Sequence, residues 1–430
     1  MAGSIRMGRR RFQVLAVLVA VITLAITAAC ASTTANWRDP LGPPPASAVL
    51  SISHEADAKG ISPADPVVVE VTGGTLTDVK VTNPDGKVVK GEYDETKTTW
   101  RTTEYLGYNK KYTIVASSVG EDGGVVEETR TFRTVKPDNY TLPYLRANGG
   151  DSRAENGHQS LLDGNTYGVG QPIVVWFDEP IKDKAAAEAT LKVTTTPEVE
   201  GAWRWRDDRE VHWRPKEYWP PGTKVTVEAN VYGKHFGGGL YGQEDRKASF
   251  TIGRSKIAVA DEDTKRMKVY IDGKLVTKIN GKDVSDGIPI SMGKGGTERG
   301  ANGQIVDYTT KSGPHVITLK YEVYRMTSAS YGITDPNSPN FYDERIKKSI
   351  RISGDGEFVH LADWNIWAHG KQNTSHGCIN VGPDYIYWFY DNFGAGDIVE
   401  VVNTSKKLDW RNGLGDWVLS WEEWIADDDY

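Results

Sequence analysis

Along most of the chain, apolar and polar residues alternate with a period of two, in short runs separated by turn residues. That pattern predicts half-buried strands rather than helices. Residues 66–71 (Pro-Val-Val-Val-Glu-Val) predict a strand, Gly73-Gly74 turns it, and 79–82 predict a second, ended by Asn83-Pro84-Asp85-Gly86. Runs at 112–116 and 128–134 predict two more. Such regular spacing over 48–136 predicts a small immunoglobulin-like sandwich. Residues 137–253 repeat the plan. A buried strand is expected at 172–177 and another at 225–228, after the turn Pro220-Pro221-Gly222-Thr223. Trp203 and Trp205 share one face of a strand, and Val211 and Trp213 share one face of the next. Strand parity places these tryptophans together in the core, against the alternative of a glycan-stacking platform.

A third region, 254–403, mixes strands with one helix. Asp272-Gly273 predicts a hairpin over 268–276. Residues 316–321 and 349–352 predict strands. Residues 383–393 open with a proline, carry Tyr387, Trp388 and Tyr390, and predict a helix ended by Gly394 and Gly396. A last strand follows at 398–402. Gly293, Gly295 and Gly296 lack the Gly-Lys-Ser/Thr ending of a phosphate loop, and no helical run follows, so they read as turns. Residues 404–430 hold Trp410, Trp417, Trp421 and Trp424, a spacing that predicts a tail wrapped onto the third domain, with an exposed stacking surface as the alternative. The fold expected is mainly β: two immunoglobulin-like sandwiches, a mixed domain with one helix, and a Trp-rich tail.

Composition narrows the function. Aromatic residues make up 10% of the 430, too many for a chain disordered throughout. A net charge of −7 argues against general nucleic-acid binding. Two cysteines exclude a disulfide framework and a cysteine-rich zinc site. Arg6, Arg9, Arg10 and Arg11 precede an apolar run at 14–26, then Thr27-Ala28-Ala29-Cys30. A basic head, a short apolar core and small residues predict an export signal over 1–29. Its end resembles a bacterial lipobox with Cys30 as the lipidated residue, although Thr27 departs from the usual leucine. An ordinary cleaved signal is the alternative, and Arg9-Arg10-Arg11 leaves the twin-arginine route open beside the general one. Removing 1–29 takes away four arginines and no acid, so the net charge becomes −11. Residues 30–47, with Pro43-Pro44-Pro45, predict a stiff tether. The expected location is the outer face of the cell membrane, reaching into the wall.

With Cys30 lipidated, Cys378 is the sole free thiol. Its surroundings are dense in chemistry: His360-Leu361-Ala362-Asp363-Trp364, then Asn373-Thr374-Ser375-His376-Gly377-Cys378-Ile379-Asn380. A cysteine nucleophile needs a base and donors for an oxyanion. His360 or His376 can take the thiol proton, and a thiolate–imidazolium pair lowers the thiol pKa. Glycine at 377 permits close backbone approach, so that the amides of Gly377 and Cys378 can face an oxyanion. A zinc cluster of His360, Asp363, His376 and Cys378 is the competing reading, though its spacing matches no common structural site. Two core histidines and an inert thiol make the blandest.

This stretch resembles the catalytic domain of bacterial L,D-transpeptidases, the YkuD-type fold, whose pattern is a histidine, a gap, then Ser/Thr-His-Gly-Cys-x-Asn/Arg. Here fourteen residues separate His360 from Ser375. Residues 289–294 resemble the entry to that domain, 326–342 its lid and 394–403 its last strand. The two sandwiches, lipobox and Trp-rich tail resemble actinobacterial members, so the likeness covers nearly the whole mature chain. The resemblance implies Cys378 as acylated nucleophile, His360 as general base, the Leu361 carbonyl as its orienter and His376 in support. It implies Tyr342, Asp355, Gly356 and Asn380 as substrate contacts, with Asp355 replacing a smaller polar residue and Asn380 alternatively a turn-stabilising amide. Some relatives bind calcium in the second sandwich; the stretch 235–242 here has no acid, so neither metal nor cofactor is assigned. The implied activity is 3→3 cross-linking of peptidoglycan, from a donor stem tetrapeptide to an acceptor amine, with carbapenem β-lactams as inhibitors. An exported cysteine peptidase and a non-catalytic wall-binding lipoprotein are the other readings.

Overall fold

The structure, a computed structural model, describes residues 46–148, 164–301 and 303–426. The expected signal, most of the tether, Cys30 and the last four residues lie outside the described residues. Two four-stranded sheets form the first sandwich. One runs Val49–Ile52, Val68–Thr72, Thr99–Thr102, Gly91–Tyr93, the other Ala58–Ile61, Val125–Thr134, Lys111–Gly120, Gly74–Thr82. Alternation along Lys111–Gly120 turns Tyr112, Ile114 and Ala116 inward, onto Trp100 and Phe132.

The second sandwich repeats the arrangement. Pro143–Arg146, Ile173–Phe177, Glu210–Pro215 and Gly201–Trp205 make one sheet; Asn165–Tyr167, Arg246–Ile252, Lys224–Ala229 and Leu191–Thr196 make the other. Trp205 and Trp213 are buried in its core with Phe177 and Phe236, where parity put them, Trp203 is only partly buried against that core, and Trp219 joins the buried pair. Trp219 keeps its one polar atom satisfied by donating to the Gln171 carbonyl at 2.6 Å. The two sandwiches meet through tyrosines: Tyr232 donates to the Leu106 carbonyl at 2.7 Å and Tyr108 to that of Gly242 at 2.6 Å.

The third domain is built on one long mixed sheet. Its path runs Gly313–Val316, Ile398–Val402, Lys256–Asp261, Arg266–Ile271, Ile288–Ser291, Ile379–Val381, Phe358–Leu361, Asp343–Arg351 and Leu319–Thr327. The helix Pro383–Asn392 buries Ile386, Phe389 and Tyr390 against it. Asp272 and Gly273 both have positive φ, as a two-residue hairpin turn requires. The strand expected over 316–321 is not continuous. It breaks at Ile317-Thr318 because Gly313–Val316 pairs with Ile398–Val402 whereas Leu319–Thr327 pairs with Asp343–Arg351, at the far end of the sheet.

The second sandwich and third domain join backbone to backbone. Gly168 N–H donates to the Ala395 carbonyl at 2.9 Å, and Gly170 N–H to that of Gly396 at 2.8 Å. A Cβ at Gly168 would lie 2.2 Å from Asp397 N, so only glycine fits. The tail departs from expectation. It pairs with the third domain at Ser312↔Lys407 and reaches Gly354 through Asn412, but from Trp410 onwards it also meets the second sandwich. There Trp417 donates to the Gly170 carbonyl at 2.7 Å, Trp424 to that of Ala202 at 3.0 Å, and Arg214 to that of Leu419 at 2.9 Å. Charges on the outer face of that sandwich decide this, because they need partners that the tail supplies.

His212 is the centre of that contact. Its Nδ1 lies 2.6 Å from Asp416 and its Nε2 2.9 Å from Glu210, all three side chains buried. Burial pushes the imidazole towards neutrality, but the Asp416 and Glu210 carboxylates outweigh it and lift the pKa from 6.5 to about 9. A raised folded-state pKa stabilises fully below 6.5 and is lost as pH rises through about 9. The melting temperature should therefore fall between pH 7 and 10. Asp416→Asn should flatten that fall and cost about 3 kcal/mol near neutrality. Thermal melts across pH check both; an unchanged slope in Asp416→Asn would refute the assignment.

Candidate active site

Two short parallel strands place the chemistry. Phe358–Leu361 pairs with Ile379–Val381 in the register Val359↔Ile379, His360↔Asn380, Leu361↔Val381. His360 and Asn380 are thus cross-strand neighbours, and Cys378, two residues before Asn380, is expected on the same side. Gly377, just before the thiol, has φ +125°, which side chains rarely adopt. Within the protein a Cβ there would meet nothing nearer than Glu357 at 3.9 Å, so the backbone conformation, not crowding by neighbouring side chains, calls for glycine.

Hydrogen bonds lock this turn. Ser375 Oγ donates to the Cys378 carbonyl at 2.6 Å and accepts from Gly377 N–H at 3.1 Å. Thr310 Oγ1 donates to the Gly377 carbonyl at 2.8 Å. The Gly377 amide expected to face an oxyanion is therefore engaged by Ser375, which leaves the Cys378 amide as the remaining candidate from that pair. Asn380 sits within a strand, not a turn, and its buried Oδ1 has no hydrogen-bond partner.

The two histidines differ in what their nitrogens do. His360 Nδ1 lies 2.8 Å from the Leu361 carbonyl and must donate to it, so Nε2 is the acceptor. Trp364 lies nearly parallel to this ring at 6.0 Å. His376 Nε2 lies 3.3 Å from the Lys294 ammonium, which can only donate, so that nitrogen is already used as an acceptor. Tyr308 and Tyr342 flank the His376 ring at 5.0 and 5.1 Å. Lys294 and Tyr308 are parts of the site that the sequence reading missed; Lys294 lay in the domain-entry motif, but nothing marked either as a neighbour of His376.

Cys378 is half-buried; its thiol donates to the Gly356 carbonyl at 3.9 Å and meets the Phe358 backbone, and among the described residues it bonds to neither imidazole. It walls two cavities. One, of about 140 Å³, is lined by His360, Trp364, His376, Asn380 and Tyr342; the other, of about 370 Å³, by Asp355, Gly356, Glu357, Lys311, Tyr331 and Tyr342. Tyr342 closes the segment between Leu319–Thr327 and Asp343–Arg351, where the lid was expected. Asp355 pairs with Lys311 at 2.8 Å, and Lys311 also meets the buried Glu357 at 3.1 Å. Asp363 is exposed, and among the described residues no group of three His, Cys, Asp or Glu side chains is arranged to hold a metal ion.

A profile described as an L,D-transpeptidase catalytic domain matches residues 255–401, and one described as a bacterial Ig domain matches 58–235. L,D-transpeptidase 2 of Mycobacterium tuberculosis is 39% identical over 88% of this chain and 84% of its own length. The chain belongs to the L,D-transpeptidase family. L,D-transpeptidase 5 of M. tuberculosis is 34% identical over 97% of this chain and 84% of its own length. Among solved structures, L,D-transpeptidase 3 of M. tuberculosis with a faropenem-derived adduct is 29% identical over 56% of this chain and 95% of that one, with a TM-score of 0.44. As a family member, the protein is an acyltransferase acting in peptidoglycan cross-linking.

The thiolate–imidazolium pair expected for such a transferase is absent from the resting site. Burial pushes the Cys378 thiol up to about 12, and the Glu357 carboxylate adds to the rise. Burial pushes His360 down to about 4, against the Leu361 hydrogen bond, and holds His376 at about 4 with help from Lys294. Both imidazoles are then neutral across pH 6–9 and the thiol is protonated. Thiolate increases only as pH climbs towards about 12, so alkylation of Cys378 by iodoacetamide should rise steadily from pH 6 to 10. Mass spectrometry of alkylated protein tests this; a plateau between pH 6 and 8 would reveal a preformed ion pair.

Proposed function

We propose that this L,D-transpeptidase forms 3→3 cross-links through a thioester on Cys378, with His360 as the base. One observation carries the reading: Cys378 walls two cavities, and His360, in register beside Asn380, keeps an unengaged Nε2 lone pair. A donor stem tetrapeptide enters one cavity. Cys378 Sγ attacks the carbonyl between its third and fourth residues while His360 Nε2 takes the thiol proton. The tetrahedral intermediate collapses, that proton passes to the leaving amine, and D-alanine departs. An amine from a second stem peptide then attacks the thioester; the C–N bond forms, the C–S bond breaks, and the proton lost by nitrogen returns through His360 to sulfur.

The neighbouring groups take supporting roles in this reading. The Cys378 amide faces the oxyanion, the Leu361 carbonyl orients His360, and Tyr342 with Asp355, Gly356 and Asn380 contacts substrate. His376, its Nε2 occupied by Lys294, packs beside the thiol rather than moving its proton. In this reading carbapenems acylate the same sulfur. The protein acts outside the membrane, anchored through lipid on Cys30, with the first sandwich as spacer. An L,D-carboxypeptidase would use the same groups with water as acceptor, so product analysis with and without an amine acceptor separates the two.

Intact-mass analysis after carbapenem exposure should show one adduct, absent in Cys378→Ala; an adduct persisting there would sink the assignment. His360→Ala should slow acylation about 10²–10⁴-fold, and more than His376→Ala does. The reverse ranking would exchange their roles. Cys30→Ala should release the protein from membranes, and a mature form beginning elsewhere without lipid would refute the anchor.

A further inference from the structure

The turn 353–356 borders the reactive thiol: its Gly356 carbonyl lies 3.9 Å from Cys378 Sγ, and Asp355 and Gly356 line a cavity that Cys378 also walls. Two N–H groups of this turn, those of Gly354 and Asp355, are taken up by the tail. Both donate to one atom, Oδ1 of Asn412 in the C-terminal tail, at 2.9 and 3.2 Å. The approach is too close for side chains. A Cβ on Gly354 would lie 2.8 Å from Gly413 N, and one on Gly413 would lie 2.8 Å from Gly354 N. Gly413 also has φ +67°. The turn is also held by Ser353 Oγ, which accepts from Glu357 N–H at 2.9 Å, and by Arg351, which donates to the Ser353 and Gly354 carbonyls at 3.3 Å; Gly356 itself has φ +102°. Its orientation depends on what holds the rest of the turn.

Asn412 is held in turn by the second sandwich. Four residues on, Asp416 is clamped to buried His212, and Trp417 donates to the Gly170 carbonyl. A continuous set of contacts thus runs from the second sandwich through the tail to the carbonyl beside the nucleophile. We propose that Asn412 is a positioning residue for reaction at Cys378, and that the second sandwich sets the geometry of the turn 353–356 through the tail. This rests on the reading of Cys378 as nucleophile. Without Asn412 the Gly354 and Asp355 amides turn towards water, the glycine-rich turn relaxes, and the Gly356 side of the cavity loses its shape. Displacements of about 1 Å at a reacting centre cost as much as 10²-fold in rate.

The test uses the mature full-length chain with Asn412→Ala and the remote Asp416→Asn. Three quantities are read: hydrogen exchange of the peptide spanning 353–356, carbapenem acylation rate, and Cys378 alkylation by iodoacetamide. In folded Asn412→Ala, exchange at 353–356 should accelerate and acylation should fall by about 10- to 100-fold. Alkylation, which needs no shaped cavity, should change little; a parallel loss of alkylation would mean general damage at the thiol and overturn the positioning role. Asp416→Asn should move exchange and acylation in the same direction by less. Folded Asn412→Ala with native exchange or native acylation would overturn the proposal. If that variant does not fold, Asp416→Asn decides alone: unchanged exchange and acylation would refute control through the tail. Cys378→Ala runs alongside. A carbapenem adduct persisting in it would refute the nucleophile reading, while the exchange result would still report on the turn.

Discussion

The parallel pairing of Phe358–Leu361 with Ile379–Val381 is the constraint on which the site depends. Only three residue pairs define it, yet a slip of one position would move His360 to the opposite side from Asn380. The register is protected on both sides. Ile379–Val381 is pinned by Ile288–Ser291, and Phe358–Leu361 by Asp343–Arg351. Val359, Ile379 and Val381 are fully buried in the domain core, so alternative registers would expose them or bury polar groups. The rigidity of a closed core is thus transferred to a histidine and a thiol at its edge.

Electrostatics at the site runs opposite to a simple activated-thiolate picture. The half-buried thiol and both imidazoles are driven to their neutral forms by loss of water. Neutrality suits a nucleophile that must wait for its substrate without reacting with stray electrophiles. Under the proposed roles, activation is coupled to occupancy: a bound carbonyl beside the sulfur, and a donor for its developing charge, make proton transfer to His360 favourable only when substrate is present. Lys294 biases the two histidines apart, because an ammonium against His376 disfavours a second positive charge there.

The second sandwich and tail belong to the same mechanical unit as the catalytic domain. Glycines at 168 and 170 allow backbones to touch, and Val174, Val316, Ile398 and Leu414 close a shared apolar cluster. Buried charges set the tail's course: His212 and Arg214 sit under it and would be costly to leave without its carbonyls and the Asp416 carboxylate. The first sandwich joins through a band of tyrosine hydroxyls and rings, a more polar contact.

The sequence by itself determined the mainly β architecture, because period-two alternation and turn residues act locally. It also determined the reactive stretch, since the spacing of His360 from Ser-His-Gly-Cys is legible without coordinates. Inward placement of Trp205 and Trp213 followed from parity alone. Tertiary structure decided what depends on distant partners. It split 316–321 between opposite ends of one sheet, engaged the Gly377 amide with Ser375, kept the thiol from either imidazole, and set Lys294 against His376. It also drew the tail across to the second sandwich. Apart from the local bond of Gly377 to Ser375, these outcomes are fixed by hydrogen bonds, strand pairing and buried charges between residues far apart in the chain, and local pattern carries no record of which distant group will satisfy which.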